Sequence, residues 1–214
     1  MPHKQNFLLN RLEPDVLARL APNLSVIDLG QHEVLAETHQ RIEKVYFPHT
    51  GIISCVVELV GGGAIETGMI GKDGEFGASQ ALDDKVSLNH VVIQVPGTAS
   101  VIDSDRIKEM ANELPAFRGL LVKYEQFFLS QVQQTAACNA VHTVQARTCK
   151  WLLRMHELAG SDLPLTQHFL AQMRGVRRAS VTGDGRRAAQ GRNDTYSRGR
   201  NPHQGYRTGT SLGL

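Results

Sequence analysis

The densest chemistry in the chain lies between Leu165 and Thr182. Thr166 is placed to cap a helix, its hydroxyl accepting from a free backbone N–H. Leu170, Ala171 and Met173 supply small and apolar positions for a packed face. Gly175 falls where the chain must turn sharply with positive φ, and Val176 packs that turn. Arg177, Arg178, Ser180 and Thr182 then crowd the start of a second helix. Guanidinium groups there can bond phosphate oxygens or the edge of guanine in a bidentate fashion. The spacing is that of a helix-turn-helix whose second helix enters the major groove N-terminus first. Thr166, Gln167, Ser180 and Thr182 would then hold the phosphate backbone, assisted by the helix N-terminus. The plainer alternative is an exposed basic helix start. Gly183-Asp184-Gly185 interrupts the second helix where two more turns are expected.

Other chemistries find no residue set. An iron–sulfur cluster needs four clustered cysteine ligands, and Cys55, Cys138 and Cys149 are three and scattered. Each is expected to be a small buried hydrophobe. His32, His39 and His49 lack a metal-ligand spacing, and no nucleophile–base pair stands out. The expectation is a non-enzyme with no cofactor and no metal. The odd cysteine count argues against a disulfide framework and for a reducing cytoplasm. No apolar run approaches the roughly 20 residues that span a bilayer, and Met1–Asn6 lacks a signal-peptide core, so no membrane partner is expected.

The net charge of +2 over 214 residues is unevenly spread. Residues 183–214 hold six Arg and two Asp, a local charge of +4, which leaves −2 on residues 1–182. A weakly acidic body excludes diffuse coating of nucleic acid, so any DNA contact must come from a local patch.

The elements that must position these residues are legible in outline. Phe7 to Leu20 has helical apolar spacing with a restart at Pro14. From Leu24 to Ile102 the pattern becomes short β runs: Val26–Leu29, Lys44–Pro48, Ile52–Leu59, Ala64–Ile70, His90–Val95 and Ala99–Ile102, with Gly-rich turns. Such a series predicts a small antiparallel barrel or double-sheet roll. Asp103 or Ser104 should cap a helix over 105–114 that ends before Pro115. A long helix follows over 116–138. Phe117, Leu120, Leu121, Tyr124, Phe127, Phe128, Gln131 and Val132 form a broad stripe on it. That stripe either buries against the chain's own roll or pairs with the same helix of a second subunit. A further helix spans 139–158, ended by Gly160.

This order of elements resembles the Crp/Fnr family of bacterial transcription regulators. Val45-Tyr46-Phe47-Pro48-His49-Thr50-Gly51 is similar to the family's strand and turn "VYFP-x-SG", and Gly68 through Gly77 to its "GMIGxEGxxG" segment. Gln134 through Asn139, Arg147 through Leu153, and Leu163 through Thr182 resemble the end of the long helix, the next helix and the helix-turn-helix. The resemblance covers about residues 7–182. It implies an α+β chain with an N-terminal antiparallel β-roll (a double-sheet jelly roll) of the cyclic-nucleotide-binding type over 1–115. A dimerisation helix over 116–138 and an incomplete winged helix-turn-helix over 139–182 follow. It further implies a homodimer on double-stranded DNA, with Arg178 matching a position that reads a base edge, and an effector bound by the roll. Gly74 and Glu75 match the segment that contacts the ribose in members that bind cyclic AMP. The alternative for that pair is a turn with a solvated acid. The family's later Arg-Ser/Thr-Ala phosphate segment is missing: the region reads Lys85-Val86-Ser87-Leu88-Asn89-His90-Val91. The effector is therefore not expected to be a cyclic nucleotide and is left as an unknown small molecule or protein.

Residues 183–214 contain seven Gly and show neither strand alternation nor a helical stripe. One reading is a basic disordered tail that adds phosphate contacts. The other is a single-base frameshift near codons 182–188. Read one base later, the codons for Gln190–Tyr196 permit a string containing Ala-Gly-Met-Ile-Arg-Ile, similar to the family's recognition-helix end and wing. On that reading the chain is truncated in function, with DNA binding weakened, and a stand-alone effector or interaction module becomes the alternative.

Overall fold

The computed structural model describes residues 2–60, 63–83, 86–161 and 163. A 3-10 turn, Pro2–Gln5, leads into the short helix α1 (Phe7–Asn10) and then α2 (Pro14–Leu20). The break between them falls where the sequence places it, with Pro14 opening α2, where its missing N–H costs nothing. Asn6 anchors this segment. Its Oδ1 accepts from the backbone of Leu8 (3.0 Å) and Leu9 (3.2 Å), and its Nδ2 donates to Pro48 O (2.9 Å) and Gly74 O (2.8 Å).

Seven strands follow: β1 (Ser25–Leu29), β2 (Val34–Ala36), β3 (Lys44–Pro48), β4 (Ile52–Leu59), β5 (Gly63–Ile70), β6 (His90–Val95) and β7 (Gly97–Asp103). They pair antiparallel in two sheets, ordered β1-β7-β3 and β2-β6-β4-β5. This is the double-sheet roll. Leu29, Ile53, Cys55, Ile70, Val91, Ile93 and Val101 fill its interior. The first five residues of β4 are buried without alternation, because the strand is covered on both faces. Ile53 and Cys55 point into the roll, whereas Ile52, with Met69 and Val95, packs against Trp151, Met155 and Leu158.

A short helix, α3 (Ala78–Leu82), interrupts the strands after Gly77, whose φ is +104°. After β7 come α4 (Ser104–Glu113), α5 (Pro115–Val141) and α6 (Val144–Ala159). Phe117, Leu121, Tyr124, Thr135 and Cys138 form the buried stripe of α5. Val122, Phe127 and Leu129 remain 47%, 40% and 56% exposed. Among the described residues no helix is long and apolar enough to cross a membrane.

Several local expectations are corrected. Neither Asp103 nor Ser104 caps α4 with a side-chain bond: Asp103 makes none, and the Ser104 hydroxyl donates to Ile42 O at 2.8 Å. The long helix runs three residues past 138, and α6 starts only at Val144, where the Thr143 hydroxyl accepts from Ala146 N (3.3 Å). Cys55 and Cys138 are buried as expected, but Cys149 is exposed. Strand β2 and helix α3 are additions to the elements read from the sequence.

Candidate functional site

The loop Gly71–Glu75, which follows β5, is where four parts of the chain meet. Phe7 N donates to Lys72 O at 2.7 Å, and the Lys72 ammonium lies 5.6 Å from the Phe7 ring centroid. Asn6 holds Gly74 O from the same side. From α6, Arg154 Nη2 reaches Asp73 Oδ2 at 2.6 Å, and Leu158 packs on Gly71, where an added Cβ would lie 2.7 Å from the leucine Cδ2. From α5, Tyr124 packs so closely on Gly74 that a Cβ there would collide with its hydroxyl. Glycine is required at both places by approach of a neighbouring side chain.

Glu75 is the chemical centre of the loop. It is 1% exposed. Its Oε2 accepts from Ala78 N at 2.9 Å, closing the first turn of α3, and its Oε1 has no donor among the described residues. Glu75 is thus buried, which corrects the reading of a turn with a solvated acid. Burial and then the neighbouring Glu125 carboxyl of α5 push its pKa well above the ordinary carboxyl value, against the pull of the Ala78 N–H. Desolvation, followed by Glu75 and Asp73, also pushes the Tyr124 phenol up. On the roll side, Ser54 Oγ donates to Glu66 Oε1 at 3.0 Å while Oε2 lacks a partner. Burial pushes that carboxyl up to about 8. The Cys55 thiol is pushed up by burial and by Glu66, Glu125 and Glu75.

The junction is therefore rich in acids and poor in cations. Arg154 is committed to Asp73, and Lys150 Nζ to Thr135 Oγ1 at 3.1 Å. His90 bonds Glu37 at 2.8 Å. Lys85 lies outside the described residues. Such surroundings suit a proton or a positive group better than a phosphate.

Of the residues singled out in the sequence, Gly74 and Glu75 lie together at this junction. Thr166, Gln167, Arg177, Arg178, Ser180 and Thr182 lie outside the described residues, as does the tail 183–214. Sequence reasoning missed Asp73, Glu125, Arg154 and Glu66. A charge inside an apolar run, as at Glu66 within β5, is the signal that flags one of them. It also missed a buried pin: Ser100 Oγ lies 2.7 Å from His3 Nδ1 and 2.6 Å from His49 Nε2. One imidazole donates to the hydroxyl and the other accepts from it. Burial lowers both histidine pKa values. With Ser100 wholly buried, the trio fixes the N-terminal turn to β7 and presents no nucleophile.

No protein-family model matches the chain, and no curated protein matches its sequence. Solved structures do. The chain is similar to the c-di-GMP responsive global regulator CLP of Xanthomonas campestris, with 13% identity over 87% of this chain and 96% of that one, at a TM-score of 0.68. A transcriptional regulator of the Crp/Fnr family from Eubacterium rectale gives 14% identity over 86% and 87%, at 0.69. A CRP-family transcriptional regulator from Thermus thermophilus gives 16% over 76% and 85%, at 0.61. The fold is thus the one found in Crp/Fnr regulators, a cyclic-nucleotide-binding-type β-roll followed by a long helix.

Proposed function

We propose that this chain is a transcription regulator of Crp/Fnr type, in which an effector at the Gly71–Glu75 loop biases a DNA-reading segment that follows α6. The carrying observation is the fold: solved transcription regulators share it over most of the chain, and α6 leads directly into the Leu165–Thr182 string. Gly74 and Glu75 are the effector-side residues. Arg177 and Arg178 are the base- and phosphate-reading residues, with Thr166, Gln167, Ser180 and Thr182 on the backbone. A bidentate Arg178–guanine contact would discriminate by about 1–3 kcal/mol.

The active unit in this reading is a homodimer. Val122, Phe127 and Leu129 leave apolar area on α5 facing away from the roll, and pairing the long helices would bury it. The compartment is the cytoplasm, where DNA and reduced thiols coexist.

A second reading is favoured by Gly183-Asp184-Gly185. A recognition helix cut to two turns loses its packing, and short unsupported helices are marginal in water. The chain would then be an effector-binding or interaction module with impaired DNA binding.

Selection from randomised duplexes, run on the 214-residue chain and on a version carrying the shifted frame after codon 182, separates the two. The shifted-frame version is expected to enrich a two-fold symmetric site while the present chain binds weakly. Nanomolar, sequence-specific binding by the present chain removes the impaired reading. Failure of both versions to enrich a site removes the regulator reading. Sequencing the genomic DNA across codons 182–188 tests the shifted frame itself.

A further inference from the structure

We infer that the effector site of this chain is a proton-binding site: Glu75 and Glu125 share one proton across the contact between the roll and the long helix, and losing it drives α5 off the Gly71–Glu75 loop. The regulatory consequence rests on the function proposed above; the shared proton does not.

The two carboxyls come from different elements, Glu75 from the loop before α3 and Glu125 from α5. Glu75 Oε1 is buried and has no donor. A buried acceptor left bare is costly, and ionising two carboxylates in contact away from water costs more. One proton held between them removes both penalties, because it supplies the missing donor and cancels one charge. Burial and the charge of Glu125 both raise the Glu75 pKa, in agreement with that arrangement.

Nothing positive competes for the place. The groups facing the pair are Tyr124 from α5, Cys55 from β4, Glu66 from β5 acting through Cys55, and Asp73 from the loop, the last neutralised by Arg154 of α6. Each facing acid adds to the penalty for a second negative charge. The loop is also the point through which a change would spread. Tyr124 contacts Gly74, Arg154 holds Asp73, Leu158 packs on Gly71, and the N-terminal turn holds Lys72 and Gly74. Repulsion between Glu75 and Glu125 therefore acts on α5 directly, and on α6 through the same short loop.

The test uses the whole chain without DNA. Glu66→Gln serves as the background, because Glu66 is a second buried carboxyl and Gln keeps the acceptor for Ser54. The infrared carbonyl band of a protonated carboxyl is followed as pH rises through neutrality, together with the emission of Trp151, the single tryptophan, buried on α6 against the roll. The background is expected to keep the band at neutral pH and to lose it together with a red shift of Trp151 emission. Glu75→Gln and Glu125→Gln should each abolish the band and the pH-dependent shift. A background with no such band at neutral pH overturns the proposal, as does a shift that survives both substitutions. A cation in place of the proton would show as a shift that depends on added sodium, potassium or magnesium at fixed pH, and would also overturn it. A proton-linked step without any site-specific DNA binding keeps the proton site and discards the regulator reading.

Discussion

Asp73 and Arg154 form an ion pair at 2.6 Å that joins the loop after β5 to the middle of α6, with side chains only 24% and 21% exposed. Among the described residues this is the charged contact that ties the roll to α6, and it is shielded enough to hold direction as well as charge. Arg154 also reaches Glu157 at 3.6 Å, one turn on, which helps fix its rotamer. Removing the guanidinium leaves a half-buried carboxylate without its donor. Arg154→Ala should therefore destabilise the chain by about 1.5–3 kcal/mol, the scale of a lost hydrogen bond to a charged group. Asp73→Asn should cost less, and the double variant should cost less than the sum. Urea melts of the four proteins form the cycle, and strict additivity would contradict a direct pair.

Gly74→Ala places a methyl against the Tyr124 hydroxyl and ring. Overpacking of this kind costs about 1–3 kcal/mol. Tyr124→Leu in the same chain should return part of that loss, because the collision is with the ring and its hydroxyl. Thermal melts of the single and double variants check this, and a Gly74→Ala chain as stable as the parent would show that α5 does not pack on the loop.

Much of this arrangement could be anticipated from the sequence. The unbroken apolar start of β4 and the stripe of α5 are legible because burial on both faces of a strand, or on one face of a helix, imposes a period. Strand β2 has three residues and little apolar content, and α3 depends on the left-handed Gly77, so neither has a period to find. Glu75 illustrates the deeper limit. A Gly-Glu pair after a strand looks like an exposed turn, and its burial is imposed by Tyr124 and Glu125, some fifty residues later. The partner half of the site is written on a helix whose charges look like ordinary surface.

Glu66 should make stability fall with rising pH. Its carboxyl is held neutral by burial, at about 8 against an ordinary 4.5. A carboxyl with a raised folded pKa favours the folded chain below its unfolded value, and that advantage is lost as pH climbs to the folded value. The window for this group is therefore roughly pH 4.5–8. Glu66→Gln keeps a neutral acceptor for the Ser54 hydroxyl and should flatten the slope in that window. Urea midpoints measured across it for both chains are the check, and identical slopes would mean that Glu66 is ionised in the folded state.

The exposed thiol of Cys149 should be the one that reacts in the native chain. Cys55 is buried in the roll, with its thiol pushed up, and Cys138 is buried on α5. Thiolate and access together set reactivity. Native labelling is expected to modify one thiol per chain and denatured labelling all three. Fast loss of a second thiol in the native protein would mean that α5 opens from the roll.

The outer face of α5 sets the last prediction. Val122 and Leu129 lie seven residues apart, two turns along the helix, on the side away from the buried stripe. Their exposure leaves apolar area in water at about 25 cal/mol per Å², and a second long helix laid alongside would cover it. A charge on this face should be tolerated by the fold and rejected by a partner, because its desolvation arises only on association. Leu129→Glu and Val122→Glu are therefore expected to keep the parental melting temperature at low concentration while shifting sedimentation from dimer to monomer. Dimers that persist in both variants would place the association surface elsewhere. A fall in melting temperature at every concentration would show instead that these side chains are needed within one chain.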